Sequence, residues 1–260
     1  MTLPPTEHIE LEAMRSFFAG APGDVDVAVA ELHGAVCTRG TGAEPRMLNR
    51  VVGLGLREEA TETALNDIAA FFPTGTPWFV SLSPEARPVD LPQRLERRGF
   101  VADYPWMKFR RAPGDMPPFQ TDLRVERIDR DHADSFAGVV ADGYRLGREV
   151  LPLVASIVGS EGWDCYVAFA DGEPAASGAL FTSEGVGWLG MAATMAEFRR
   201  RGAQGALLAT RIGRASERGC ELLVTETGAE VEGRPSNSYR NIVRSGFEPA
   251  YVRPNYRAPA

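Results

Sequence analysis

The 260-residue chain is poor in the residues that build metal centres and disulfide frameworks. It has three cysteines, Cys37, Cys165 and Cys220, and three histidines, and both sets are widely scattered. An odd and dispersed set of cysteines indicates neither a disulfide framework nor a zinc cluster. Histidines this far apart give no sign of a metal site or of a histidine-based catalytic triad. The sequence therefore predicts no metal.

Long apolar runs and an excess of positive charge are also missing. No stretch approaches the 18 uncharged apolar residues that a membrane span needs, and the first residues do not resemble a secretory signal. The formal net charge is −7, which does not favour general affinity for nucleic acid and tolerates cationic small molecules. We expect a cytoplasmic protein that binds neither membranes nor nucleic acid.

What the chain does contain is a basic, glycine-bearing turn at residues 199–205, between a predicted strand at 186–194 and a predicted helix at 202–218. A helix N-terminus offers unpaired backbone N–H groups and a partial positive charge. Gly202 and Gly205 lack a Cβ, so a ligand can approach the backbone, and three arginines add charge. The pattern predicts a phosphate or pyrophosphate site, the alternative being a tight turn with solvated arginines.

Two common phosphate motifs do not fit this turn. A Walker loop needs Gly-Lys-Ser/Thr, and a dinucleotide fingerprint needs a third glycine. The turn instead resembles the R/Q-x-x-G-x-G/A loop of the GNAT superfamily of acyl-CoA-dependent N-acyltransferases, with Gln204 where the family has Gly or Ala. The resemblance implies that acetyl-CoA binds to Ala192, Ala193, Thr194, Arg199, Arg200, Arg201, Gly202, Ala203, Gln204, Gly205, Ala206, Asn237 and Asn241.

The resemblance covers roughly residues 121–256, and a fainter copy of the same order of elements precedes it. Strand 48–56, helix 57–72, strand 77–82 and helix 91–98 mirror strand 186–194, helix 202–218, strand 220–225 and helix 237–245. We therefore expect an α/β fold of two GNAT-like domains, each a mixed, mostly antiparallel sheet with flanking helices. Residues 1–115 form the first domain, residues 110–120 include the linker, and residues 121–260 form the acetyl-CoA-binding domain.

The corresponding turn of the first copy, residues 56–62, differs in chemistry. It has no glycine after Arg57, and Glu58 and Glu59 stand where pyrophosphate would lie. Like charges repel at that distance. We predict that the first domain does not hold CoA.

Acetyl transfer to an amine needs a base, a donor for the developing oxyanion and an acid for the leaving thiolate. The resemblance implies backbone N–H groups at residues 192–194 as the donor and Glu226 as the base, with a solvated strand-end carboxylate as the alternative for Glu226. The tyrosine that serves as acid in many relatives is replaced by Ile242. Tyr239 is the preferred substitute, Tyr251 the second choice, and release without a protein acid a further alternative.

The resemblance implies an acetyl-CoA-dependent N-acetyltransferase that acts on a small-molecule or protein amine. An acyl-CoA-responsive regulatory module with little turnover is the alternative. In the family, the region after the first strand forms part of the acceptor pocket, so Asp134, Tyr144, Arg145 and Glu149 either line such a pocket or are solvated. A further hypothesis is that residues 1–115 complete a shared acceptor groove. The acceptor, the acyl chain length and the oligomeric state stay open.

Overall fold

The computed structural model describes residues 3–41, 45–116, 119–232 and 236–259, and its first half alternates helices with short strands. In chain order the elements are α1 (Pro5–Ala19), β1 (Val27–Leu32), β2 (Ala35–Gly40), α2 (Pro45–Leu48), β3 (Arg50–Val52), α3 (Glu62–Phe71), β4 (Phe79–Ser81), α4 (Leu91–Arg97) and β5 (Val101–Arg111).

The second half has longer strands. Its elements are β6 (Arg124–Arg127), α5 (Ala133–Tyr144), α6 (Leu151–Ser156), β7 (Trp163–Ala170), β8 (Glu173–Ser183), β9 (Val186–Thr194), α7 (Ala203–Glu217), β10 (Leu222–Gly228), α8 (Asn237–Arg244) and β11 (Glu248–Arg257). No helix within the described ranges is both long and apolar enough to cross a membrane.

The described strands form one open, mostly antiparallel sheet that runs through both halves. Its order is β1-β2-β3-β4-β11-β5-β10-β9-β8-β7-β6. The parallel pairs are β3 with β4 and β9 with β10, the same pair in each half. The predicted fold class, a mixed and mostly antiparallel α/β sheet with flanking helices, is confirmed.

The two halves exchange their last strands. Strand β5 of the first half lies between β10 and β11 of the second, and β11 in turn pairs with β4 of the first. The sequence predicts that residues 110–111 belong to the linker between the domains. Those residues instead belong to the eleven-residue strand β5, because a strand inserted between two others has backbone partners along its length on both sides.

The helices of the second half lie on opposite faces of the sheet, as alternation along the strands shows. Cys165 and Val167 of β7 pack with α1, α5 and α6, whereas Tyr166 and Ala168, the intervening residues, pack under α7. Successive side chains of a strand point to opposite faces. Helices α7 and α8 share the second face through Leu208 and Ile242 and other residues of one cluster.

Helix α3 begins five residues later than the sequence predicts. The predicted helix starts at residue 57, but α3 runs over Glu62–Phe71. The Thr61 side chain accepts a hydrogen bond from the Ala64 N–H at 3.1 Å, which caps the helix at that point. Ahead of it the chain forms turns, and the Ala60 N–H donates to the Arg87 carbonyl at 2.9 Å.

Candidate active site

Strands β9 and β10 lie side by side over four residues and then separate. Their pairing runs from Val186–Leu222 to Leu189–Thr225. Beyond that point β9 continues along β8 as far as Thr194, while β10 continues along β5 as far as Gly228. The register of β8 and β9 shifts between Ser177 and Ala179, and Met191 has a φ of 50°. The bulge turns the backbone at residues 190–194 along one edge of the gap.

Helix α7 begins beside the end of β9. Gly202 precedes its first residue with a φ of 79°, and no side chain caps the helix. The Ala206 N–H donates to the Gly202 carbonyl at 3.1 Å, and the N–H groups of residues 203–205 lie in the first turn, which has no intrahelical acceptors. This end of α7 therefore has the donors and the partial charge that an anion needs.

The arginines of the turn differ in how they are paired. Arg201 forms an ion pair with Asp122, and its guanidinium also lies 5.7 Å from the Phe198 ring centroid. Arg199 Nε lies 3.5 Å from the Thr194 carbonyl oxygen. Within the described residues neither Arg199 nor Arg200 forms an ion pair with a carboxylate. These two side chains carry the uncompensated positive charge of the turn.

The two glycines make room for protein as well as for any ligand. A Cβ on Gly202 would lie 2.3 Å from the Gln120 carbonyl oxygen, and a Cβ on Gly205 would lie 2.1 Å from the Phe119 ring. From the sequence, the role predicted for both glycines is to let a ligand approach the backbone closely. Since the direction of each Cβ is filled by residues 119–120, the segment before β6 also requires both glycines.

Gln204, the residue that departs from the GNAT pattern, points towards α8. Its Oε1 accepts a hydrogen bond from Asn241 Nδ2 at 2.7 Å. Helix α8 is capped by Ser236, whose hydroxyl accepts from the Tyr239 N–H at 3.1 Å, and Asn237 is its first residue. The N-terminal end of α7 is thereby tied to the middle of α8 on one face of the sheet.

The two tyrosines considered as acids lie apart from each other. The Tyr239 ring packs edge-to-face on Phe109, with centroids 5.0 Å apart, on the face of α7 and α8. The Tyr251 hydroxyl donates to Glu7 Oε1 at 2.5 Å beside α1. Burial and the neighbouring Glu7 raise the pKa of Tyr251. Ile242 is buried in the core.

Glu226 lies at the start of the gap on the opposite face, within a buried cluster of charges. Its Oε2 is 2.5 Å from a guanidinium nitrogen of Arg253 and 3.2 Å from Lys108 Nζ. The cluster contains three carboxylates and three cations: Glu7, Glu10, Glu226, Arg50, Lys108 and Arg253. We call it the seam cluster because it joins residues of both halves.

Glu10 is the centre of the seam cluster. One Arg253 guanidinium nitrogen and one of Arg50 each lie 3.0 Å from its Oε1, and Lys108 contacts its Oε2. Burial alone would raise the pKa of Glu10, but Arg253, Lys108 and Arg50 outweigh burial and hold the pKa well below its usual value. Glu10 is therefore an anion in the folded protein over the physiological range.

Tyr144 brings a hydroxyl to the same gap. A Cβ on Gly143 would lie 2.4 Å from the Ala193 Cβ, so this glycine lets the end of α5 rest directly on β9. Burial raises the pKa of the Tyr144 hydroxyl to about 12, and the nearby Ala192 backbone N–H offsets only part of that rise. The hydroxyl therefore stays protonated at neutral pH. Asp134, Arg145 and Glu149 are exposed.

Arg211 is a site residue that the sequence analysis missed. It lies in the apolar stripe of α7, and its guanidinium donates to the carbonyl oxygens of Ala179 at 3.1 Å and Gly190 at 3.2 Å. A Cβ on Gly178 would lie 2.9 Å from that guanidinium. Burial lowers the pKa of Arg211 to about 10, so it is still a cation beneath the bulge. A charged residue at a core position of an amphipathic helix was the available signal.

Two further carboxylates, Glu230 and Glu232, follow β10 in the chain. Glu230 pairs with Arg240, whose Nε donates to its Oε1 at 2.9 Å, and Glu232 is exposed. Among the residues that the structure describes, no three histidine, cysteine, aspartate or glutamate side chains form a group that would hold a metal ion.

Several solved structures with a similar fold are described as GNAT proteins. A GCN5-related N-acetyltransferase from Kribbella flavida is 17% identical, with a TM-score of 0.67, over 98% of this chain and 96% of its own. A tandem GNAT protein from the clavulanic acid biosynthesis pathway is 16% identical, with a TM-score of 0.60, over 98% and 96%. A putative GNAT acetyltransferase from Novosphingobium aromaticivorans is 15% identical, with a TM-score of 0.58, over 94% and 96%.

No protein-family model and no curated protein matches the chain. At these identities the structural likeness shows the fold alone. The predicted resemblance is confirmed at that level: the chain has the tandem GNAT fold.

Proposed function

We propose that this chain, which has the tandem GNAT fold, is an N-acetyltransferase that moves the acetyl group of acetyl-CoA to a primary amine. The observation that carries the proposal is the gap between β9 and β10. On one face of the sheet lies the uncapped N-terminus of α7 with Arg199 and Arg200, and on the other lies a cavity that Glu226 lines. A two-sided opening suits two substrates that meet in the sheet.

The diphosphate of CoA is proposed to bind at the N-terminus of α7. The first-turn N–H groups and the charges of Arg199 and Arg200 supply the donors. The pantetheine arm would then follow the edge of β9 at Ala192, Ala193 and Thr194, with Asn237 and Asn241 on α8 facing it. The Gln204–Asn241 hydrogen bond would hold the start of α7 at a fixed distance from α8.

The chemistry is a direct attack. The amine nitrogen forms a bond to the thioester carbon, the C–S bond breaks, the amine loses a proton and the leaving thiolate gains one. We propose that Glu226 takes the proton of the amine, directly or through water, and that its ion pairs with Arg253 and Lys108 fix its position.

Charge that develops on the thioester oxygen needs fixed donors. The Ala192 N–H and the Tyr144 hydroxyl lie together at the gap, and the Arg211 guanidinium lies beneath the same bulge. Tyr144, with a pKa of about 12, is far less acidic than a thiol, whose pKa is about 8.5. Tyr144 is therefore proposed as a hydrogen-bond donor, and Tyr239 remains the proposed acid for the thiolate.

The test is release of free thiol from acetyl-CoA in the presence of a panel of primary amines, with mass spectrometry of the products. We expect amine-dependent thiol release and an acetylated amine. Glu226→Gln should lower kcat by about 100-fold or more while acetyl-CoA still binds. Binding of acetyl-CoA without amine-stimulated release across the panel would instead indicate a regulatory module. The cytoplasmic location stays a prediction from the sequence.

A further inference from the structure

A cavity of about 290 Å³ lies on the face of the sheet away from α7, and both halves of the chain line it. From the first half come Met14 and Phe17 of α1 and Met47 of α2. From the second half come Gly190 and Met191, the bulged residues of β9 at the edge of the gap. The cavity therefore reaches the place where the proposed thioester would be attacked.

The proposed CoA site and the cavity lie on opposite faces of the sheet, so the cavity is the natural place for the attacking amine. The proposed CoA site belongs to the face that carries α7 and α8, whereas the cavity is lined by residues of α1, α5 and α6, including Val140 and Val154. CoA that enters from the α7 side presents its carbonyl carbon to the gap. The nucleophile then has to arrive from the cavity side.

The walls of the cavity are aromatic. Phe18, Trp106, Trp163 and Trp188 all contribute to the lining. The Trp188 ring lies directly over Gly190, where a Cβ would be 1.9 Å from its nearest ring atom, and it meets the Trp163 ring edge-on at 6.2 Å. Such walls suit a flat or branched apolar group, and their π faces attract an ammonium group.

Charge inside the cavity is already matched by protein groups. The charged residues among its described lining are Glu10, Arg50 and Glu226, and all three belong to the seam cluster of three carboxylates and three cations. A second charge on a ligand would find no spare partner there. Burying an unpaired charge is strongly unfavourable.

From these observations we infer the class of acceptor, an inference that rests on the proposed acyl transfer. The acceptor is a primary amine carried on an uncharged aromatic or branched aliphatic body, and that body occupies the cavity with α1 of the first half as its far wall. Polyamines and amines with an acidic group are poor acceptors.

The first test compares kcat/KM for a set of amines at saturating acetyl-CoA. 2-Phenylethylamine and 3-methylbutylamine represent the inferred class, and spermidine, taurine and a lysine-containing peptide represent charged acceptors. We expect kcat/KM for the first pair to exceed that for each of the others by about tenfold or more. An equal or higher value for any charged acceptor overturns the inference while leaving the proposed acyl transfer intact.

The second test fills the cavity from the first half. Met14→Trp adds bulk on α1 at a half-buried lining residue, and Glu12→Trp, on the same helix but outside the lining, is the matched control. We expect Met14→Trp to lower kcat/KM for 2-phenylethylamine by about tenfold or more. Acetyl-CoA affinity, measured by calorimetry, should change less than about twofold, and Glu12→Trp should behave as wild type. Met47→Trp, from a different wall, gives the same readout if Met14→Trp does not fold.

The same variants also test whether the cavity holds the acyl chain of the thioester and not the amine. If Met14→Trp instead shifts the preference among acetyl-, hexanoyl- and octanoyl-CoA and leaves the amine kinetics unchanged, the cavity holds the acyl chain and the inference is wrong. If wild-type protein shows no heat of binding with acetyl-CoA, the proposed function fails, and the inference that rests on it fails with it.

Discussion

The two halves begin their corresponding helices, α3 and α7, in opposite ways. Thr61 caps α3 with its own side chain, and Arg57, the arginine of that turn, lies 3.0 Å from Glu31 in an ion pair. Helix α7 begins at Gly202 with no side-chain cap, beside Arg199 and Arg200. At the start of α3 a protein side chain accepts a backbone N–H group, whereas no side chain caps the first-turn N–H groups of α7.

The two halves also differ in the space beyond their parallel strand pairs, β3 with β4 and β9 with β10. After β3 and β4, the backbone at Arg87 is bonded to the segment that follows β3: the Arg87 N–H donates to the Gly55 carbonyl at 3.0 Å, and the Ala60 N–H donates to the Arg87 carbonyl at 2.9 Å. After β9 and β10 the strands part and a cavity lies between the halves. One topology thus serves as a proposed reaction site in the second half and as a wall in the first, since function depends on the site and not on the fold.

The largest expected effect concerns the seam cluster, whose ion pairs link residues of both halves. Glu10→Gln removes one of three buried carboxylates and leaves an excess cation, so it should lower the free energy of unfolding by about 3–5 kcal/mol. Glu12→Gln, which breaks a surface pair with Arg15 on the same helix, should lower it by less than about 1 kcal/mol. Urea denaturation measures both. Equal effects would show that the cluster does not hold the halves together.

The same comparison has a pH dependence. Because the pKa of Glu10 is depressed in the folded state, its contribution to stability is present above the unfolded pKa of about 4.3 and is lost as the pH falls through the folded value. The difference in Tm between wild type and Glu10→Gln should therefore be full at neutral pH and shrink below about pH 4. A difference that grows on acidification would contradict this assignment.

The next effect compares the two turns directly. Arg199→Glu combined with Arg200→Glu places two negative charges beside the proposed diphosphate, and we expect acetyl-CoA affinity to fall by about 100-fold or more. Arg57→Glu, at the corresponding turn of the first half, should leave that affinity unchanged. This pair is cleaner than a substitution at Gly202, where any side chain would also collide with the Gln120 carbonyl. Calorimetric titration with acetyl-CoA gives the result.

A smaller effect tests the donors at the gap of the second half. Tyr144→Phe removes a hydroxyl but keeps the ring, so kcat should fall by about tenfold with acetyl-CoA affinity retained. Since the pKa of Tyr144 is about 12, its hydroxyl is protonated throughout the working range, and the loss should be the same at about pH 7 and about pH 9. A loss that disappears at the higher pH would mean that Tyr144 acts by giving up its proton.

The smallest effect concerns the capped turn. Thr61→Ala removes the side-chain cap of α3 and should cost about 1 kcal/mol of stability. It should leave acetyl-CoA affinity and kcat unaltered, because the proposed CoA site lies wholly in the second half. A change in affinity measured by the same calorimetric titration would break the contrast between the halves.

The sequence predicted the local features of the second half well. Helix α7 was expected over residues 202–218 and runs over Ala203–Glu217, because its glycines, arginines and apolar stripe are signals within one short segment. The fold class followed from the resemblance of this turn to the GNAT superfamily and from the repeated order of such segments. Glu226, expected at a strand end, lies in β10 directly after the last residue that pairs with β9, and its side chain is buried and ion-paired, not solvated.

Contacts between residues far apart in the chain could not be predicted from such local signals. Glu10 and Arg253 are 243 residues apart and meet in the seam cluster, and nothing near either residue indicates the other. Apolar patterning likewise does not specify which strand edges pair, so it could not predict the insertion of β5 between β10 and β11. The capping of α3 at Thr61 had a local signal, a threonine before an acidic residue, that the apolar periodicity of residues 57–72 obscured.

We propose that one half of this chain binds acyl-CoA and that the other half does not. The most direct measurement is the stoichiometry of acetyl-CoA binding to the wild-type chain by isothermal titration calorimetry. We predict that one molecule of acetyl-CoA binds per chain, in the second half. Two molecules per chain, or none, would contradict it.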